Sequence, residues 1–97
     1  AMSRLRLTPA ARADLDSIWD YTVSTWDMVQ AEAYLQTLLH TMQTLADTPG
    51  LGRSIEDIRP GYLKFPAASH VIYYRSCDGG IDVIRILHKR MDVDRHI

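Results

Sequence analysis

Four histidines, one cysteine and a basic run near the C-terminal end carry most of the groups in this chain that could do chemistry. His40, His70, His88 and His96 have no paired ligand spacing, such as two histidines one helical turn apart, so no metal is expected. His40 falls in the middle of a helical pattern and reads as surface or hairpin packing. The glycines of Pro49-Gly50-Leu51-Gly52 follow a helical pattern instead of opening one, so they serve a turn and not a phosphate cradle. Ser69, His70 and the scattered aspartates assemble no nucleophile triad. Cys77 sits at a strand end without a neighbour that would activate its thiol, and alone it forms no internal disulfide. A reducing, cytoplasmic setting and no cofactor are therefore expected. The remaining chemistry is charge. Arg85, Lys89, Arg90 and Arg95 lie on or just after the last strand pattern, where they can steer an acidic partner or simply keep a sheet edge soluble.

These groups need a small scaffold to hold them. Ninety-seven residues allow one domain, taken as residues 2–97, with Ala1 ahead of Met2 read as a cloning remnant. A hydrophobic share of 46% is too high for disorder. No apolar run nears the roughly 18 residues of a membrane span, and no signal-peptide pattern opens the chain. The formal net charge of −1 hides an asymmetry. Residues 1–48 hold three basic and six acidic side chains, whereas residues 49–97 hold eight and six. This is no general nucleic-acid binder of the high-pI kind, and no direct sequence-specific DNA binding by this chain is expected.

Arg4-Leu5-Arg6-Leu7 alternates as a strand with one wet face. Thr8-Pro9 starts a helix, with a hydroxyl cap and a proline whose missing N–H costs nothing in the first turn. Ala11, Leu15, Ile18, Trp19, Thr22 and Trp26 form its apolar stripe. Asp27 and Gln30 resemble a capping box for a second helix, which buries Tyr34, Leu38, Met42 and Leu45 flanked by Ala31, Leu35, Leu39 and Ala46. Thr48-Pro49-Gly50 stops it, leaving an antiparallel helical hairpin. Residues 51–61 read as irregular. Tyr62–Phe65 is an edge strand ended by Pro66. Ser69–Ser76 and Ile81–His88 form a hairpin about Asp78-Gly79-Gly80. The order β-α-α-β-β-β predicts an α+β domain, its helical hairpin packed on a small, mainly antiparallel sheet with the first strand beside the last.

Alternation sorts the hairpin into two faces. Val71, Tyr73, Ile84 and Ile86 are assigned to the helices. His70, Ile72, Tyr74, Val83, Arg85 and Leu87 fall on the other face, which only a loop and tail or a partner segment can cover.

Together, the run from Arg85 to Ile97, the loop Thr48-Pro49-Gly50-Leu51-Gly52-Arg53 and the strand Ser69–Arg75 resemble the ParE toxins of the ParE/RelE superfamily. The likeness covers nearly the whole chain. It implies the RelE/ParE-like fold and the toxin half of a bacterial type II toxin–antitoxin pair. It also implies no catalysis of its own, inhibition of DNA gyrase, and neutralisation by a ParD-like antitoxin in a heteromeric complex, a dimer of heterodimers or larger. On this reading Ile72, Tyr74, Val83, Arg85 and Leu87 meet the antitoxin, while Lys89, Arg90 and Arg95 meet the target. Asp92 to Ile97, too short for an independent helix, dock only weakly on the sheet.

The related RelE branch cleaves mRNA on the ribosome, which needs a base for the 2′-hydroxyl, cations for phosphate charge and an acid for the leaving oxygen. Lys64, His70, Arg90 and His96 are the nearest matches to that set. It is incomplete in its cations, since Lys64 stands alone on its strand and His70 replaces an expected arginine. A ribosome-dependent endonuclease is the alternative, and a non-toxic relative that only binds an antitoxin is a third.

Overall fold

The computed structural model describes residues 3–91 and 93–97; Ala1, Met2 and Asp92 lie outside the described residues. Strand β1 (Arg4–Leu7) leads into helix α1 (Pro9–Thr25), where the Thr8 hydroxyl accepts the Ala11 N–H at 3.1 Å. Asp27 caps α2 (Met28–Asp47) by accepting the Gln30 N–H at 2.8 Å, as its spacing predicts. A 3₁₀ turn, Pro49–Leu51, ends the hairpin. The stretch expected to be irregular contains a two-residue strand, β2 (Arg53–Ser54). Strands β3 (Tyr62–Ala67), β4 (His70–Cys77) and β5 (Gly80–His88) follow, and a single-turn helix α3 spans Val93–His96.

The sheet order is β1-β5-β4-β3-β2, with β1 parallel to β5 and every other pairing antiparallel. β1 thus lies beside the last strand, as expected. Its entry demands Gly80, because a Cβ there would collide with the Arg4 backbone. Pro66 sits inside β3 instead of ending it, past the short stretch that β2 covers.

The helices pack on one face of the sheet. Leu38, Met42, Leu45, Ala11 and Ile18 meet Ile72, Tyr74, Ile81, Val83 and Ile86 there. Each fully buried Leu, Ile, Val or Met side chain among them is worth about 1.5–3 kcal/mol. This reverses the expected facing. Of the set assigned to the helices only Ile86 joins this layer, while Tyr73 and Val71 belong to a second cluster with Ile55, Ile58, Tyr62, Leu87, Val93 and Ile97. Both faces of β4 are apolar, so its alternation fits either way round, and on β5 a β-bulge adds a second difference. Tyr74 pairs with Val83 but Tyr73 pairs with Arg85, so Ile84 is extra and the alternation of β5 shifts by one residue. The outer face is covered, around Tyr73 and Leu87, by the 55–58 loop and the C-terminal tail. Trp26, expected in the apolar stripe, is 67% exposed at the tip of the hairpin.

Candidate functional site

β1 is too short to cover β5. Its pairing ends at Leu7 opposite Val83, which leaves the rest of that β5 edge without a strand neighbour. Helix α1 supplies the partners instead. The Thr8 hydroxyl donates to the Ile84 carbonyl at 2.8 Å, and Asp14 accepts the Ile86 N–H at 2.9 Å. Asp14 also takes two bonds from Arg85, Nε at 2.7 Å and Nη2 at 2.8 Å. This bidentate pair is partly buried, and its hydrogen bonds raise the Arg85 guanidinium above its ordinary range. The remaining Arg85 nitrogen donates to the His96 carbonyl at 3.0 Å, and Arg59 donates to the Ile97 carbonyl at 2.9 Å. Two arginines therefore tie down a tail expected to dock weakly.

The Pro49–Arg53 loop is fixed from the core. The Tyr74 hydroxyl donates to the Pro49 carbonyl at 2.7 Å, and any Cβ on Gly52 would strike the phenol ring. Burial raises the Tyr74 hydroxyl above the ordinary phenol range, partly offset by a hydrogen bond from the Gly52 backbone. The motif is therefore a packing device, and its second glycine makes room for the tyrosine.

The expected antitoxin strip does not form one surface. Ile72, Tyr74 and Val83 are completely buried under the helices, Leu87 is 1% exposed beneath the tail, and Arg85 is committed to Asp14. Lys89, Arg90 and Arg95 are exposed, the first two on the turn after β5 and the third in α3. The nuclease-like set is divided. His70 lies on the helix face and meets Tyr34 of α2. Lys64 points to the opposite face, since Leu63 and Phe65 beside it pack toward the helices. His96 belongs to the tail on that opposite face.

One polar cluster escaped the sequence reading. The Tyr34 hydroxyl accepts the Ser69 N–H at 3.0 Å and lies 2.7 Å from Nδ1 of His70. The phenol can donate to that nitrogen or accept from it, and the imidazole tautomer sets which. His88 stands edge-on to His70, ring centres 5.4 Å apart, and accepts the Arg90 N–H through Nδ1 at 3.2 Å. Burial lowers the His70 pKa below its ordinary value, with the proximity of His88 adding to the shift. Both histidines line a groove shared with Tyr21, Ile18 and Met91. In sequence Tyr34 is only one residue of an apolar stripe, and nothing local joins residues 36 positions apart. Among the described residues no three His, Cys, Asp or Glu side chains form a metal-binding group, and no helix is long and apolar enough to cross a membrane.

The sequence family described as the ParE toxin of the type II toxin–antitoxin system parDE matches residues 5–93. Toxin ParE1 of Mycobacterium tuberculosis (strain H37Rv) is 50% identical over 96 residues, 98% of each chain. Toxin ParE1 of Caulobacter vibrioides is 38% identical over 96 residues, 99% of each chain. A solved structure of the chromosomal ParDE system from P. aeruginosa superposes with a TM-score of 0.76 at 24% identity. That alignment covers 90% of this chain and 96% of the other, and it shows the shared RelE/ParE-like fold. From the match along nearly its whole length and these relatives, the chain belongs to the ParE toxin family of type II toxin–antitoxin systems.

Proposed function

We propose that this toxin works by binding and not by catalysis: it inhibits DNA gyrase in the cytoplasm and is held inactive by a ParD-like antitoxin. The observation that carries this reading is the division of the nuclease-like residues. A general base, an acid and phosphate-binding cations must converge on one ribose-phosphate. Lys64 and His70 lie on opposite faces of the sheet, and Nδ1 of His70 is occupied by Tyr34. The target contact is assigned to Lys89, Arg90 and Arg95, which are exposed within the last nine residues and suit an anionic, DNA-bound enzyme.

The antitoxin contact moves to the hairpin tip. Tyr21, Trp26, Met28 and Val29 are each 65–77% exposed there, and Met91 adds to the adjoining groove. Large apolar side chains this exposed, with Tyr21 and Trp26 lining one groove, suit an amphipathic segment of a partner. Trp26→Asp should weaken antitoxin binding by at least tenfold in a calorimetric titration; unchanged affinity would remove the tip from the interface.

The deciding assay runs two readouts on the same purified toxin. Gyrase supercoiling should be inhibited, antitoxin should restore it, and mRNA in a translating extract should stay intact. Site-specific mRNA cleavage lost in Arg90→Ala or His96→Ala would replace this reading with the endonuclease.

A further inference from the structure

All three basic residues of the acidic N-terminal half, Arg4, Arg6 and Arg12, fall on β1 or the first turn of α1. The sheet brings a fourth arginine to them. Arg6 and Arg75 both pair with Asp82 of β5, one from each neighbouring strand. Asp82 is buried between them, with Arg6 Nε 3.0 Å from one carboxylate oxygen and Arg75 Nε 3.4 Å from the other. Each arginine reaches it through Nε, and the two arginine side chains are 61% and 55% exposed. A buried carboxylate thus orients two guanidinium side chains that stay more than half open to solvent. Arg6, Arg75 and Asp82 line, together with Arg12, an open cavity of about 400 Å³.

We propose that Arg6, Arg12 and Arg75, positioned about Asp82, form a binding site for the phosphodiester backbone of a nucleic acid. The chemistry favours phosphate. Arginine forks match the paired oxygens of a phosphate, and charge-assisted pairs of this kind are short and strong. Three arginines against one carboxylate leave an excess of two positive charges, with Arg4 exposed on the adjoining β1 position. A single carboxylate ligand would leave part of that excess unmatched, whereas successive phosphates would not. Backbone contacts of this sort carry no sequence information. The site is separate from Lys89, Arg90 and Arg95, and it stands whether or not gyrase is the target.

Fluorescence anisotropy with a labelled DNA duplex and a labelled RNA single strand tests the site, in competition with inorganic polyphosphate and with polyglutamate. Two variants remove the same charge from different places: Arg6→Ala/Arg12→Ala/Arg75→Ala and Lys89→Ala/Arg90→Ala/Arg95→Ala. The first should weaken duplex binding at low salt by at least about tenfold and flatten the logarithmic salt dependence by roughly three. The second should retain most of both. Polyphosphate should compete far better than polyglutamate, and the preferred probe tells DNA from RNA. Absence of binding by the parent, an equal or larger loss from the second variant, or equal competition by polyglutamate would overturn the proposal. If the first variant fails to fold, Arg12→Ala, which leaves the Asp82 pairs intact, should still weaken binding about threefold; unchanged affinity would overturn it.

Discussion

Replacing Asp14 with Ala should unlatch α1 from β5 and the tail together. The carboxylate accepts three hydrogen bonds, two from Arg85 at 2.7 and 2.8 Å and one from the Ile86 N–H at 2.9 Å. β1 has already ended at Leu7, so without Asp14 the Ile86 N–H faces no strand partner, a loss of about 1–2 kcal/mol. Arg85 loses both bonds to the carboxylate. Its side chain is 23% exposed and keeps the His96 carbonyl, so water recovers part of the loss and about 1–2 kcal/mol remains. The sum is about 3 kcal/mol, which at roughly 4–8 °C per kcal/mol for a domain of this size lowers the melting temperature by about 12–24 °C. Asp14→Asn, which still accepts from Ile86, should cost about half as much. Urea unfolding of the parent, both variants and Arg85→Met would measure this, with the Asp14→Ala/Arg85→Met double variant closing a cycle. A loss below about 1 kcal/mol for Asp14→Ala would refute the reasoning. So would a full loss that persists in the Arg85→Met background, because the carboxylate would then not act through the arginine.

Other perturbations test the remaining contacts. The lowered pKa of His70 means that the folded state resists its protonation, so this stability is complete above about pH 6.5 and declines as pH falls from there toward the folded value. His70→Gln should remove that part of the pH dependence, and stability curves of identical shape for parent and variant would contradict it. Tyr74→Phe deletes the bond to the Pro49 carbonyl and should cost about 1–2 kcal/mol by thermal or urea unfolding. Gly52→Ala, which collides with the same phenol, should cost at least as much; a neutral Gly52→Ala would show that the loop can move. Val93→Asp puts a charge against the Ile55–Tyr73–Leu87 cluster, so the tail should detach and amide exchange of residues 93–97 should accelerate at least tenfold. Unchanged exchange would mean that Arg59 and Arg85 hold the tail alone.

The elements governed by neighbours in sequence were legible in the chain. Thr8, Asp27 and Thr48 bound the two helices because caps and stops act within one turn, and Asp78-Gly79 turns the hairpin because turn geometry is local. The loop and strand motifs that carry the ParE likeness were equally readable. Which face each strand shows the helices was not. Residues on both faces of β4 and β5 are apolar, so alternation alone has two solutions, and the bulge at Ile84 moves Arg85 and Leu87 away from the face of Val83. The contacts that hold the site are also long in sequence. Asp14 meets Arg85 and Ile86 across 71 and 72 positions, Tyr34 meets His70 across 36, and Arg6 meets Asp82 across 76. A carboxylate has no periodicity to announce its partner. Only the packing of α1 along the uncovered edge of β5, and the parallel entry of β1 beside it, decides which charges become neighbours.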